Sequence, residues 1–309
     1  MTRRNWFVAV VVLALSAVIM GCGSSSSSST TSSSSGGTSS ASSATTGSTA
    51  AVASIASQVP ASIKSKGTLI VAADATYPPD EFIASDGHTV IGMDPDLMQA
   101  LAAVMGLKVA VKNATFDSII PGLAAGKYDV GASSFTDNKE REKTVDFVTY
   151  FTAGESFFTK ASGGTTIVGI SDICGHSVAV EKGTTEEADA GTQSKKCTSS
   201  GKAAVKVLSF PDQNGANLAL SSGRAQLGFA DSPVAEYQVK QSGGQFKLVG
   251  ASYANAPYGL ALPKNSGLAK PMLAAVQELM KNGQYKAILT KWGLESGAIT
   301  NPQINGATS

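Results

Sequence analysis

The chain has 309 residues, 42% of them hydrophobic and 15% charged, with a formal net charge of +1 at pH 7. Its 24 Lys and Arg stand against 23 Asp and Glu, and two of the cations, Arg3 and Arg4, fall in a leader, so the remainder is near neutral. No basic stripe is left to attract nucleic acid, and beyond the leader no apolar run is long enough to span a bilayer.

Arg3 and Arg4 precede an apolar run from Trp6 to Met20, the pattern of an export signal and too short to cross a membrane comfortably. The run ends at Ile19-Met20-Gly21-Cys22, which resembles a bacterial lipobox, where the signal is cut before a cysteine that then carries lipid. Residues 1–21 are therefore expected to be a lipoprotein signal peptide and Cys22 the lipidation site. Residues 23 to about 50 are almost entirely Ser, Thr, Gly and Ala, too poor in apolar side chains to fold. The lipidated Cys22 and a flexible linker are expected to occupy residues 22–61, with an end-to-end distance on the order of 35 Å.

With Cys22 lipidated, Cys174 and Cys197 remain as an even pair in an oxidising compartment, which predicts a disulfide. His176 lies near Cys174, but the only other histidine is His88, so no metal site is expected.

From about residue 62, strand and helix patterns alternate. Thr68 to Ala72 reads as a strand, and Asp94-Pro95-Asp96-Leu97 opens a helix with apolar Leu101 and Val104 at helical spacing and Gly106 as its stop. A strand over 107–111, a helix over about 116–125 and a strand over 128–132 follow. The pattern restarts with a strand over 177–180, a capping box from Thr184 to Glu187, a strand over 204–210 and a helix begun by Asp212. A strand over 226–230 leads to Ser232-Pro233, read as an N-cap and first-turn proline of a helix ending at Gly243-Gly244. A strand over 258–262 and helices over 269–282 and up to Trp292 close the series. This grammar predicts an α/β protein of two units built on largely parallel sheet, with a cleft between them.

Ligands of open α/β sheets sit beyond the carboxyl ends of strands. The first such end supplies Asp74-Ala75-Thr76-Tyr77-Pro78-Pro79-Asp80-Glu81-Phe82; the second supplies Ser133, Ser134, Phe135 and Thr136, with Arg141 a short turn later. A guanidinium fork beside small hydroxyls suits a carboxylate. The third supplies Gly183-Thr184-Thr185 at a helix N-terminus, which favours an anion, and the fourth supplies Asp231. Asp231 reads equally as a helix cap, Tyr77 as an aromatic packed on prolines, and Phe135 as core. An anion-holding set opposite a carboxylate matches an α-amino acid, which carries one charge of each sign.

Residues 66 to 293 resemble the bacterial extracellular solute-binding proteins of family 3, the polar-amino-acid receptors of ABC importers. The resemblance rests on Ala73 to Pro79, Gly92-Met93-Asp94-Pro95-Asp96-Leu97, Gly126-Lys127-Tyr128-Asp129, Lys139 to Phe147, Lys182-Gly183-Thr184-Thr185 and Asn282-Gly283-Gln284-Tyr285. It implies a two-lobed periplasmic-binding-protein-like fold of type II, with crossings near 153–158 and 253–259 acting as hinges. Lobe 1 would span 62–153 plus 259–300 and lobe 2 154–258, with a tail over 301–309. It puts the ligand carboxylate on Arg141 with Ser134, Thr136 and the N–H of Thr185, and the ammonium on Asp231. Tyr77 and Phe135 would flank the side chain, and Asp74 and Gln213 would line its pocket. Met93, Pro95 and Asp80 depart from the family pattern, the first two altering only helix entry. Asp80 stands where many relatives carry Phe, which removes an aromatic wall and adds a charge. The acids Asp74, Asp80 and Glu181 hint at a cationic ligand side chain, with exposure to water or pairing with Lys182 as the other reading of them.

The resemblance implies no cofactor and no catalysis. It implies a monomer anchored outside the cytoplasm by its lipid and partnered by an ABC permease. Two alternatives stay open: a secreted cyclohexadienyl dehydratase-like enzyme, for which Asp80, Glu81, Glu181 or Glu186 could transfer protons, and a ligand-sensing receptor component.

Overall fold

The structure, a computed structural model, describes residues 51–308; the signal, Cys22 and the Ser/Thr-rich stretch lie outside the described residues. The chain enters through two short helices, α1 (Ala53–Ala56) and α2 (Ala61–Lys66). Ile55 and Val59 are buried in the first core, and the Val52 N–H donates to the Val104 carbonyl at 2.9 Å. The expected linker over 22–61 therefore reaches too far: its last ten residues pack, because Val52, Ile55 and Val59 form an apolar stripe at helical spacing.

Strand β1 (Thr68–Ala73) is followed by a small antiparallel sheet of β2 (Thr76–Tyr77), β3 (Glu81–Ile83) and β4 (Val90–Ile91). Helix α3 (Met93–Val104) starts on Gly92, whose φ of +140° and close approach to the Asp80 carbonyl leave no room for a side chain. Met93 is fully buried under this entry. Next come β5 (Lys108–Asn113), α4 (Phe116–Ala124), the short β6 (Val130–Gly131) and the long β7 (Val145–Lys160). The second half holds β8 (Ser177–Glu181), α5 (Thr185–Ser199), β9 (Lys206–Phe210), α6 (Gln213–Ser221), β10 (Leu227–Asp231) and α7 (Ser232–Gln241). Strand β11 (Phe246–Pro263) then returns, followed by α8 (Ala269–Lys281) and α9 (Gln284–Trp292).

The main sheet has the order β5-β1-β6-β11-β7-β10-β8-β9. Strands β5, β1 and β6 are mutually parallel, as are β10, β8 and β9. Between the two parallel blocks run β7 and β11, paired antiparallel from Val145 opposite Pro263 to Lys160 opposite Phe246. The chain thus crosses between halves twice, on one ribbon. Register breaks between Val249 and Tyr253, Tyr253 and Ala256, and Tyr258 and Gly259 fall near the crossing; such irregularities bend and twist a ladder. Only the end of β11 was visible as a strand in the sequence, because its first half is mostly exposed and lacks an apolar alternation.

One core packs α3, α8 and α9 on the first half (Leu97, Leu101, Met272, Leu279, Leu289). Another lies under β8 and β10 (Ile173, Val178, Val180, Leu227, Phe229). The disulfide between Cys174 and Cys197 ties the loop before β8 to α5, with Cα atoms 5.7 Å apart. Residues 298–307 are no free tail: Ala298 and Ile304 bridge to Phe151 and Val148 on the edge of β7.

Candidate functional site

The carboxyl ends of β1, β6, β8 and β10 converge on one cavity. Tyr77, Phe116, Ser134, Thr136 and Arg141 line it from the first half; Thr184, Thr185, Glu186, Gln213, Phe229, Ala230, Asp231 and Val234 line it from the second. The halves are closed on each other. Lys182 pairs with Asp117 at 2.8 Å, Arg141 Nη2 donates to the Gly183 carbonyl at 3.1 Å, and the Gln213 N–H donates to Thr76 Oγ1 at 3.2 Å.

Arg141 is the one cation among the lining side chains. Its Nη1 donates to the Thr136 carbonyl at 2.9 Å, and its guanidinium lies 5.2 Å from the Phe116 ring centroid and 5.5 Å from that of Phe135. Those rings stack at 4.4 Å. Two of the five guanidinium donors are thereby used to orient it, leaving others for an anion. Burial draws its pKa down, while Glu186 and Asp231 push it up. Facing it, α5 begins with Thr184, whose Oγ1 accepts from the Glu187 N–H at 3.2 Å. Glu187 in turn accepts from the Gly183 N–H at 2.7 Å, completing the cap. Such an N-terminus adds partial positive charge where Arg141 already favours an anion.

Acids line the same cavity. Asp231 ends β10 and precedes α7, but its side chain makes no capping bond and Ser232 is already helical. The N-cap expected at Ser232 thus falls one residue earlier, because β10 keeps Asp231 paired with Glu155 up to the turn. Freed from capping, the Asp231 carboxyl faces Tyr258 and Glu186. Burial, then Glu155 and Asp80, raises it to about 7 against the lowering effect of Tyr258. Glu186 is buried and pushed well up, first by burial and then by Asp231. Glu155 is raised to about 9 by burial and by Glu186.

A second acidic group lies beyond Tyr77 and Gln213. Asp74 is buried, accepting from Thr76 Oγ1 at 2.6 Å and from the Phe116 N–H at 3.0 Å. Glu181 is 1% exposed, and neither of its carboxylate oxygens has a hydrogen-bond partner; nor has the Tyr77 hydroxyl. Burial and the neighbouring Asp74 raise Glu181 to about 10. Gln213 Nε2 donates to Asn217 at 3.0 Å. A cation entering here would neutralise a pair of carboxyls that otherwise repel.

A third group lies behind Ser134, whose φ of +50° is held by its N–H donating to Asp94 at 3.0 Å. Ser134 Oγ donates to Asp80 at 3.0 Å and Ser133 Oγ to Glu81 at 2.9 Å. Asp80, Glu81 and Asp94 are fully buried; burial raises Asp94 to about 6 against its bonds from Tyr150 and Ser134, and burial followed by repulsion from Asp94 raises the other two well above the usual range. Ser134 Oγ is thereby oriented by Asp80 and Glu81.

Of the residues expected from sequence, Tyr77, Ser134, Thr136, Arg141, Thr184, Thr185, Gln213 and Asp231 line the cavity. Three do not. Ser133 is fully buried behind Ser134, Asp74 lies behind the lining beyond Tyr77, accepting one bond on each oxygen from Thr76 and Phe116, and Phe135 sits behind Phe116 as part of its support. The aromatic facing Tyr77 is instead Phe116, edge-on at 5.9 Å. Phe116 follows the carboxyl end of β5, a strand end with the same claim on the cleft as the other four. Glu186, expected above only as an acid of the dehydratase-like alternative, also lines the cavity, beside the Glu187 that carries the capping signal. Phe229, Ala230 and Val234 read simply as core.

No group of three or more metal-ligating side chains is arranged to hold a metal among the described residues, and no helix among them is long and apolar enough to cross a membrane. Residues 69–295 match the model of the bacterial extracellular solute-binding proteins, family 3. The chain is 37% identical over 255 residues to the arginine-binding protein ArgT of Corynebacterium glutamicum, covering 82% of this chain and 83% of that protein. An ancestral arginine-binding protein bound to arginine superposes with a TM-score of 0.68 at 38% identity, covering 73% of this chain and 98% of the other. The ancestral amino-acid-binding protein AncCDT-1, a precursor of cyclohexadienyl dehydratase, gives 0.67 at 34% identity over 75% of this chain and 97% of its own.

Proposed function

The chain belongs to the bacterial extracellular solute-binding proteins of family 3, and from that premise we propose that it captures an L-amino acid with a cationic side chain, arginine first, and delivers it to an ABC importer. One observation carries the reading: Arg141 shares the cavity with the start of α5, which also carries Glu186, and with Asp231 at the end of β10, while a second buried acid pair, Asp74 and Glu181, lies beyond Tyr77. The carboxylate is received by Arg141 and the Thr185 N–H, and the ammonium by Asp231 with the lone pairs of Ser134 and the hydroxyl of Thr136. The aliphatic stem lies between Tyr77 and Phe116, and the guanidinium reaches Asp74 and Glu181. Both lobes supply contacts, so a ligand that bridges them favours closure. No covalent step is involved.

We assign lobe 1 to 62–153 plus 259–300 and lobe 2 to 154–258, with the β7–β11 ribbon as hinge. Residues 52–61 and the C-terminal stretch pack with lobe 1. Removal of a signal peptide over 1–21 and lipid on Cys22 would hold a monomer at the outer face of the cell membrane, where an ABC permease takes the ligand.

The test is calorimetric titration of protein refolded free of ligand with L-arginine, lysine, ornithine, glutamine and prephenate. Tight binding confined to the basic amino acids is expected. Binding of prephenate alone, with turnover, would replace this reading with a dehydratase.

A further inference from the structure

We propose that the C-terminal residues 305–307 act as a clasp that positions Arg141 for its ligand, an inference that rests on the carboxylate role given to Arg141 above. Up to Ile304 the C-terminal stretch behaves as an edge cover for β7: the Thr149 N–H donates to the Gln303 carbonyl at 2.9 Å, and the Gln303 N–H donates to Thr149 Oγ1 at 2.8 Å. At Asn305, with φ +55°, the chain turns. Asn305 Oδ1 accepts from the Phe147 N–H at 2.8 Å and its Nδ2 donates to Asp146 at 3.1 Å. The next two N–H groups leave the sheet altogether. Gly306 donates to Asp137 Oδ2 at 2.7 Å, and Ala307 donates to Glu142 Oε1 at 3.2 Å.

Those two acceptors bracket the site. Asp137 follows Thr136, whose carbonyl holds Arg141 Nη1, and Glu142 follows Arg141 itself. Between them, Asn138 Oδ1 accepts the Arg141 N–H at 2.9 Å and the Asn138 carbonyl accepts the Glu142 N–H at 3.0 Å. Asp137 is fully buried, and its other oxygen, Oδ1, has no hydrogen-bond partner. Gly306 therefore supplies a bond that this carboxyl cannot easily replace, and a buried acceptor stripped of its donor drives local rearrangement. Rearrangement at Asp137 moves Thr136, and with it the carbonyl that aims the guanidinium. A fork that must meet a carboxylate through two parallel bonds tolerates little misdirection.

The test compares the full-length chain with one ended after Ile304, which keeps the β7 edge cover, and with Ala307→Pro, which deletes one donor. Titration with L-arginine well below the melting temperature is paired with amide hydrogen exchange of the unliganded proteins. The expected result is about tenfold weaker binding for the truncation and about threefold for Ala307→Pro, with faster exchange at Asp137, Arg141 and Glu142 and none at 185–187. Unchanged affinity in a folded truncation overturns the clasp, whether or not its melting temperature falls. Should the truncation fail to fold, Ala307→Pro decides alone. A full-length protein that ignores arginine refutes the assigned ligand, while the exchange pattern still judges the clasp.

Discussion

Exchanging L-arginine for its uncharged isostere citrulline should weaken binding most at neutral pH and least in acid. The reason lies at Glu181. In the closed cleft its pKa is about 10 against an ordinary 4.5, because of burial and then the adjacent Asp74. A guanidinium between the two acids relieves both effects; a neutral urea group does not. Closing on citrulline at pH 7 must therefore bring a proton onto Glu181. For a group that is solvated with pKa 4.5 before closure, that uptake costs about 3 kcal/mol, roughly 200- to 300-fold in affinity. The sign follows from the raised value: the penalty is absent below the ordinary pKa, and grows as pH rises through 4.5 towards 10. At pH 5 it shrinks to under about 1 kcal/mol, roughly fourfold. Asp231 and Glu186 titrate equally for both ligands and cancel in the ratio. Calorimetric titration with the two ligands at pH 5, 6, 7 and 8 measures it. In Glu181→Gln the ratio should be small and flat with pH. A wild-type ratio independent of pH, or one unaltered by Glu181→Gln, refutes the reasoning.

Arg141→Lys keeps the charge but loses the fork and one charge-assisted bond worth about 1.5–3 kcal/mol, so amino-acid affinity should fall about 10- to 150-fold in titration, with little change in melting temperature. Asp231→Asn should weaken the hold on the α-ammonium by about 10- to 100-fold, read against the same ligand set, without affecting the fold, since Asp231 caps nothing. Replacing both Cys174 and Cys197 by Ser opens a loop with a sequence separation of 23. Denaturant titration should show about 3 kcal/mol less stability, with arginine affinity retained. Gly92→Ala would bring a methyl to 2.1 Å from the Asp80 carbonyl at a φ of +140°, and should lower the melting temperature by several degrees.

Much of the site was legible in the strand-end loops. Ser134 and Thr136 with Arg141 a short turn later, the Thr184–Thr185 helix start, and Asp231 all follow apolar runs, and the cavity receives them. Phe135 and Phe116 show where that reasoning stops. Both are aromatics beside strand ends, yet one lines the cavity and the other backs it, because they stack at 4.4 Å and only one of the pair reaches the cavity. Asp231 shows the converse: its position before Ser232-Pro233 suggested a cap, and only the pairing of β10 with β7 frees its carboxyl for the cleft.

By itself the sequence determined the alternation of strands and helices, the family, the cysteine pairing and the loops that carry the binding groups, because each is written in short-range spacing and in residue type. The tertiary structure alone decided the length of β11, the seating of 305–307 against Asp137 and Glu142, and which buried acids stand together. Those depend on the register of two long strands and on the distance to which the lobes close, and both are set by packing between residues far apart in the chain.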